Sequence, residues 1–418
     1  MTDIIEVPSP FCGIGTDDLS VRVSGLNVQV LENGCAINTP AFELPLGDRQ
    51  ARVRGEPVAL EVAITEAAAL LMGSCQPAFG GCATDVAGMR ALLALADKIG
   101  AVVDNGNFSA ARNNFLALQD SGWMNCTLAE VKNRCDLLLV VGTDLEAFAP
   151  RFFERYIWTE GMFVAQRQVI YLGASPSGEL STAPDGSAAQ VLKCANADLP
   201  AVLAVLRALL KGQIIQADLV GGIALSELQA LATRLQAAQY SVVTWGAGAL
   251  AFSQAELSVQ MLCEMIKELN KTTRCSGLPL GGKDGDQTAN QVCGWTTGYP
   301  ARVNFAKGYP QYDPFLYDSR AMLAGNEIDV LVWVNAFNVD AAVPASHIPT
   351  IVIGRSAMRL QQQPTVFIPV GTPGIDHTGH AYRMDNVVAI RLKKLRDSGL
   401  ASSAEVLNAI TQALLSFN

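Results

Sequence analysis

Short strands made almost wholly of apolar residues recur along this chain, and each runs directly into a glycine or an asparagine. These segments are Asp136–Val141, Val169–Leu172, Ser241–Trp245, Asp329–Val334 and Thr350–Ile353. A strand without polar alternation is buried on both faces, which is typical of a parallel sheet covered by helices. The pattern therefore predicts an α/β protein with doubly wound parallel sheets.

The first fifty residues follow a different pattern. Val21, Val23, Val28 and Val30 alternate with other residues on either side of Gly25, and the turn sequence Glu32-Asn33-Gly34 comes next. This alternation predicts a small β-rich N-terminal part.

Helix signals separate the later strands. The stretch from Asp85 to Ile99 has its apolar residues at helical spacing and is followed by Gly100, a favourable C-terminal cap. Capping boxes are expected at Ser253 with Glu256 and at Ser402 with Glu405.

Length and charge exclude several classes of protein. A chain of 418 residues predicts two or three packed units. Its net charge of −9 without a basic block argues against nucleic-acid binding. The longest apolar runs are far shorter than the roughly 20 residues of a membrane span, and the start MTDIIEVPSP does not resemble a signal peptide. We therefore expect a cytoplasmic protein.

The cysteines form no CxxC pair, and only three histidines are present. We expect reduced, buried thiols at these positions: Cys12, Cys35, Cys75, Cys82, Cys126, Cys135, Cys194, Cys263, Cys275 and Cys293. Cys82 lies at a helix start, where the pKa of a thiol can fall. It has no adjacent histidine to act as a base, so burial is again the expectation.

Two turn-rich segments interrupt the α/β pattern, at residues 276–314 and 369–385. The first is rich in glycine, proline and aromatic residues and is expected to contain no helix. Two roles remain open for it, a partner-binding surface or a cover over a cofactor cleft. The residues concerned are Trp295, Tyr299, Arg302, Phe305, Lys307, Tyr309 and Tyr312.

Two further groups allow a functional and a structural interpretation. Asp376, His377 and His380 could ligate a metal, or could bond to neighbouring backbone in a polar loop. Glycines 246, 248, 281 and 282 could admit a pterin or a nucleotide, or could close tight turns after strands. The structural interpretation is favoured for both groups.

Several long and unusual strings carry a family resemblance: PFCGIGTDDL, LALQDSGW, EVKNRCDLLLVVGTD, PRFFERY, WTTGYPARVNFAKGYPQYDP and GIDHTGHAYRMD. With them the chain resembles, from end to end, the B subunit of formylmethanofuran dehydrogenase. That protein carries molybdopterin or tungstopterin and is a member of the molybdopterin oxidoreductase superfamily.

The resemblance fails at the metal ligands. The family's iron–sulfur frame, Cys-x-x-Cys-x-x-x-Cys-Asp-Asp with a later cysteine, here has Ser9, Cys12, Thr16 and Cys35 at the ligand positions. Its Cys-His-Gly-Pro-Ser string, whose cysteine binds the pterin metal, is replaced by a segment that starts at Ala110. Hydroxyl and methyl groups are poor substitutes for thiolate ligands. We therefore expect no cofactor, no metal and no catalytic residue.

The resemblance also implies a domain order and a role. Residues 1–52 would form a vestigial cluster-type domain, residues 53–110 with 215–418 a discontinuous α/β domain, and residues 111–214 an inserted one. Cofactor-free relatives are beta subunits of bacterial formyltransferase/hydrolase complexes, which convert formyl-tetrahydromethanopterin to formate through a methylofuran-type carrier. The implied role is structural, alongside an amidohydrolase-like alpha subunit, a gamma subunit and a formyltransferase subunit. The alternatives are an active molybdopterin or tungstopterin subunit, or a binding module for the furan carrier.

Overall fold

A computed structural model of the chain describes residues 2–250 and 252–416. These residues divide into two compact units. The first holds the described residues up to Phe108 and from Gly282 onward, and the second spans Ser109–Gly281.

Strands and helices alternate through most of the chain. The strands are β1 (Thr2–Val7), β2 (Leu19–Ser24), β3 (Asn27–Glu32), β4 (Ala51–Val53), β5 (Glu56–Val58), β6 (Pro77–Ala83), β7 (Val102–Val103), β8 (Leu137–Val141), β9 (Gln168–Gly173), β10 (Gln190–Lys193), β11 (Leu219–Val220), β12 (Ile223–Ala224), β13 (Ser241–Gly246), β14 (Cys275–Leu280), β15 (Val303–Asn304), β16 (Gln311–Tyr312), β17 (Val330–Asn335), β18 (Thr350–Arg355), β19 (Val366–Val370), β20 (Gly379–Tyr382) and β21 (Ala389–Leu392). The helices are α1 (Asn38–Glu43), α2 (Leu60–Met72), α3 (Val86–Ile99), α4 (Phe108–Ser121), α5 (Leu128–Arg134), α6 (Leu145–Phe148), α7 (Leu199–Leu210), α8 (Leu225–Ala237), α9 (Ala255–Leu269), α10 (Asp286–Thr297), α11 (Ser319–Ala324) and α12 (Ser403–Ser416). A π-helical turn covers Phe153–Ile157, and 3₁₀ turns cover Asn196–Asp198 and Lys283–Gly285.

The first unit begins with a three-stranded antiparallel sheet in the order β1-β2-β3. Val21 pairs with Val30 and Val23 with Val28, across a turn that contains Gly25 at a φ of +60°. The predicted β-rich N-terminal part is confirmed.

The main sheet of the first unit has nine strands in the order β16-β15-β7-β6-β17-β18-β19-β4-β5. Its centre, from β7 to β19, is parallel. Every residue of β17, β18 and β19 is buried, as apolar strands with helices on both faces require.

The second unit has a five-stranded parallel sheet in the order β10-β9-β8-β13-β14. Its central strand β8 is wholly buried. Because β13 and β14 pair into this sheet, residues 215–281 lie in the inserted unit and not in the discontinuous one. The inserted unit therefore ends at Gly281 and not at residue 214.

The ends of the helices can be compared with the caps predicted from the sequence. The Asp85 side chain accepts a hydrogen bond from the Gly88 N–H at 3.0 Å, and α3 ends at Gly100 with a φ of +69°. The Ser402 hydroxyl and Glu405 form the predicted capping box. The predicted capping box at Ser253 is wrong. Helix α9 begins after Gln254, which has a left-handed backbone conformation and no side-chain cap.

The expectation that residues 276–314 contain no helix is also wrong. Helix α10 runs through this segment, between two left-handed glycines, Gly285 at a φ of +73° and Gly298 at +88°. Burial of Ala289, Val292 and Cys293 against the core provides the apolar face that the composition hides. Among the described residues, no helix combines the length and hydropathy that a membrane span requires.

Candidate functional site

The loop that follows β1 brings the predicted cluster positions together. The Ser9 N–H donates to the Thr16 carbonyl at 2.7 Å, and the Gly15 N–H donates to the Cys12 carbonyl at 3.0 Å. These two bonds close a compact loop in which Ser9, Cys12 and Thr16 are all buried. The fourth position, Cys35, is half-buried.

Side chains of this loop bond to each other. The Cys12 Sγ lies 3.4 Å from the Thr16 Oγ1, and the Asn38 amide donates to the same hydroxyl at 3.5 Å. The Asn38 Oδ1 in turn accepts the Cys35 N–H at 2.7 Å. Thr16 and Asn38 therefore connect Cys12 with Cys35, two positions where the resemblance implies thiolate ligands.

These residues do not fit an iron–sulfur cluster. Ser9 and Thr16 offer hydroxyls, which stay protonated at neutral pH and bind soft iron poorly. Ile390 packs closely against the loop at Gly15, where an added Cβ would lie 2.1 Å from the Ile390 Cδ1. Within residues 2–250 and 252–416, no group of three or more His, Cys, Asp or Glu side chains is placed to hold a metal ion.

Ala110, at the expected pterin-metal position, lies in α4 of the second unit. Its methyl group is close to Gly248, where an added Cβ would come within 3.4 Å of it. Alanine has no donor atom, so this position cannot ligate molybdenum or tungsten.

The glycines singled out in the sequence serve close approaches of the backbone. A Cβ on Gly246 would lie 2.9 Å from the Thr143 Oγ1. Gly282 has a φ of +83°, and a Cβ there would lie 2.8 Å from the Gly13 Cα. Gly281 follows the end of β14. The tight-turn interpretation accounts for Gly246 and Gly282 without a ligand.

Asp376, His377 and His380 do not converge. Asp376 forms an ion pair with Arg396 at 2.7 Å, and both side chains are 2% exposed. The His377 ring nitrogens lie 2.8 Å from the Thr378 carbonyl and 3.3 Å from the Gly371 carbonyl. His380 lies on β20, opposite Arg391 of β21. Asp376 is thus paired with Arg396, and His377 lies against backbone carbonyls of its own loop.

Most cysteines are buried, as expected. The Cys82 Sγ donates to the Asp104 carbonyl at 3.4 Å, and burial raises the pKa of this thiol well above its ordinary value. Burial likewise raises the pKa of Cys135 and of Cys275 to about 12. Protonated thiols are poor nucleophiles, so none of these three has the properties of a reactive centre.

The aromatic segment divides into an inner and an outer part. Phe305 is buried, and Arg302 is buried between Asp104 and Asp318 with its guanidinium 4.9 Å above the Phe108 ring. In contrast, Trp295 and Tyr309 are more than half exposed. Tyr299 stacks on Tyr312 with 5.3 Å between ring centroids. The aromatic segment therefore contributes some side chains to the core and others to the surface.

Sequence reasoning missed one polar cavity, which we call the strand-end pocket. This open pocket has a volume of about 160 Å³ and lies at the carboxyl ends of β6, β7 and β17 in the first unit. Its polar lining includes Asn105, Asp284, Asp286, Arg320, Asn335 and Asn338. Burial raises the pKa of Asp286 to about 7, against hydrogen bonds from the Gln287 and Gly282 N–H groups that lower it. The asparagine that ends β17 was the visible signal for this pocket.

Two α/β units with parallel sheets, one inserted into the sequence of the other, and a small antiparallel sheet at the N-terminal end make up the fold. No family model matches the chain. Over 431 residues it is 28% identical to the B subunit of tungsten-containing formylmethanofuran dehydrogenase 2 from Methanocaldococcus jannaschii, with 97% of each chain covered. Over 335 residues it is 29% identical to the B subunit of the formyltransferase/hydrolase complex Fhc from Methylorubrum extorquens, covering 77% of this chain and 85% of that protein.

A solved structure agrees with these relatives. A chain of the formyltransferase/hydrolase complex FhcABCD from Methylorubrum extorquens, crystallised with methylofuran, matches with a TM-score of 0.74 and 27% identity. The match covers 88% of this chain and 99% of that one. The chain is therefore a homologue of the B subunits of formylmethanofuran dehydrogenase and of the Fhc complex, as the resemblance predicted.

Proposed function

We propose that this chain is a structural subunit, without an active site or redox cofactor of its own, of a cytoplasmic formyltransferase/hydrolase complex. The complex would convert formyl-tetrahydromethanopterin to formate through a methylofuran-type carrier. Its partners would be an amidohydrolase-like alpha subunit, a gamma subunit and a formyltransferase subunit. Hydrolysis and transfer of a formyl group need no electron carrier, so such a complex does not require thiolate ligands in this chain.

One observation carries the proposal: the Cys12 thiol lies against the Thr16 hydroxyl, at a place where the family has two thiolates. Ala110 is a second, independent observation, because it stands where the resemblance implies the cysteine that binds the pterin metal. The similarity to the Fhc B subunit and to a chain of the FhcABCD complex supports this branch of the family.

The alternative is an active molybdopterin or tungstopterin subunit. It is favoured by the 28% identity to the tungsten-containing enzyme over 97% of both chains. It requires a metal bound without Cys-type ligation at residues 9, 16 and 110.

Both functions can be tested on the complex purified through a tag on this chain at its native expression level. We expect mass spectrometry to find amidohydrolase-like and formyltransferase subunits, and elemental analysis to find far less than one molybdenum, tungsten or iron–sulfur cluster per chain. Stoichiometric molybdenum or tungsten would establish the alternative. A chain recovered without these partners would refute the structural role.

A further inference from the structure

The strand-end pocket lies where the main sheet of the first unit reverses its winding. From β6 the chain passes to β7 on one side, whereas β17, on the other side of β6, continues to β18. In open α/β sheets, ligands bind outside the carboxyl ends of the strands at such a reversal. The position alone makes the pocket a candidate for a ligand, and its side chains define the ligand's chemistry.

Asn335 supplies a hydrogen-bond donor. The side chain is 2% exposed, and its Oδ1 accepts the N–H groups of Phe337 at 3.1 Å and Asn338 at 2.9 Å. These bonds fix the orientation of the amide. Its Nδ2 has no acceptor among the described residues, although the side chain lines the pocket. This donor lines the pocket and is available to a ligand carbonyl.

Asp286 supplies an acceptor on the same pocket. One of its oxygens accepts the Gly282 N–H at 2.7 Å and the Gln287 N–H at 2.5 Å, which holds the carboxyl group in place. Its second oxygen is left for a ligand N–H. Asp284 lies beside it, with Oδ2 bonded to the Asn338 amide at 3.0 Å. Asp284 and Asp286 both interact with Lys283, and Arg320 lines the same pocket, so the charges are close to balanced and offer no excess positive charge to a phosphate or carboxylate group.

Trp333 supplies a flat apolar wall. Its Nε1 is buried without a partner in the described part of the chain. A Cβ on Gly81 would lie 3.1 Å from that nitrogen, so the glycine, at a φ of +74°, lets the backbone approach the indole closely. The Arg320 guanidinium lies 5.7 Å from the ring centroid. An aromatic wall beside fixed polar groups suits a planar ring.

The volume of the pocket matches a single ring. A cavity of roughly 150 Å³ holds a benzene molecule, and this pocket, which opens to solvent, is about 160 Å³.

We propose that the strand-end pocket binds a small uncharged ring with an N–H donor next to a carbonyl, as in a cyclic amide. The carbonyl accepts from the Asn335 Nδ2, the N–H donates to Asp286, and the ring face lies along Trp333. This inference does not depend on the proposed structural role, because it concerns a different set of residues.

The test measures binding of 2-pyridone to the full chain by saturation-transfer NMR and calorimetric titration. Benzoate, an anionic ring of similar size, and GDP serve as comparison ligands. We expect 2-pyridone to bind with a dissociation constant on the order of millimolar, as few ligand atoms allow no more. Benzoate and GDP should bind at least about tenfold more weakly, which is about 1.4 kcal/mol.

Two variants locate the site. Asn335→Asp keeps the oxygen that Phe337 and Asn338 use but removes the donor, and Asp286→Asn keeps the oxygen for Gly282 and Gln287 but removes the charge. Each should weaken 2-pyridone binding about tenfold or more, whereas Asn326→Asp, at an exposed turn, should not. The proposal is overturned by the absence of saturable 2-pyridone binding, by equal binding of benzoate, or by unchanged binding in a folded Asn335→Asp protein. These outcomes are independent of the metal content that tests the proposed function.

Discussion

The Cys12 Sγ and the Thr16 Oγ1 are hydrogen-bonded neighbours, 3.4 Å apart inside a buried loop. The resemblance implies cluster ligands at both positions, and here side-chain and backbone hydrogen bonds close the loop. A structural role for the loop follows, and it can be measured as stability.

Thr16→Val should lower the free energy of unfolding by about 1 kcal/mol. The substitution keeps the side-chain volume but removes the hydroxyl that meets Cys12 and the Asn38 amide. Urea unfolding of the full chain measures the change, with Thr16→Ser as the variant that retains the hydroxyl. A Thr16→Val protein as stable as the wild type would show that these contacts contribute nothing.

Asp376→Asn should be much more harmful, by about 3–5 kcal/mol. It leaves Arg396 buried without its counter-charge, although the new side chain can still accept the Thr372 N–H. Asp397→Asn is the matched control, because Asp397 pairs with Lys394 at the surface and exposed pairs contribute little. Equal effects of the two substitutions on urea unfolding would refute a stabilising role for the buried pair.

Asp286 should make the chain less stable as the pH rises from about 4 to about 7. Its pKa is about 7 in the folded chain against an ordinary value of 3.8, so folding favours the protonated carboxyl. The stability that this group contributes is complete below pH 4 and is lost as the pH rises through 7. The loss is a few kcal/mol at most, since a tenfold change in proton affinity corresponds to about 1.4 kcal/mol.

The pH dependence is measured by comparing Asp286→Asn with the wild type in urea at several pH values. The variant should lack this component of the decline and should gain stability relative to the wild type above pH 7. Asp340→Asn, at an exposed ion pair with Arg359, should keep the wild-type profile. Parallel profiles for Asp286→Asn and the wild type would contradict the assignment.

Thiol reactivity should follow burial. Cys75 is exposed, whereas burial raises the pKa of Cys82 and Cys126 well above the ordinary value. A brief treatment of the folded chain with iodoacetamide should therefore label Cys75 first and leave Cys82 and Cys126 unmodified, as mass spectrometry of peptides will show. Unfolded chain provides the reference, in which the sites should react alike. Rapid labelling of Cys82 in the folded chain would contradict its burial.

Local sequence signals predicted the ends of a helix where the chemistry of a single residue fixes the backbone. Asp85 and Gly100 bracket α3 because a carboxylate caps free N–H groups and a glycine accepts left-handed backbone. The same reasoning failed at Ser253, where the helix starts two residues later. It failed again at α10, whose polar composition gave no sign that Ala289 and Val292 would be buried.

The order of amino acids was sufficient to predict the parallel strands, because burial on both faces demands apolar runs. It also fixes that residues 9, 16 and 110 carry no thiol. Tertiary structure alone decided that β13 and β14 join the inserted unit, that Asp376 meets Arg396, and that Asn335 and Asp286 line one pocket. These relationships join residues far apart in the chain. They depend on strand order and packing, which no local pattern encodes.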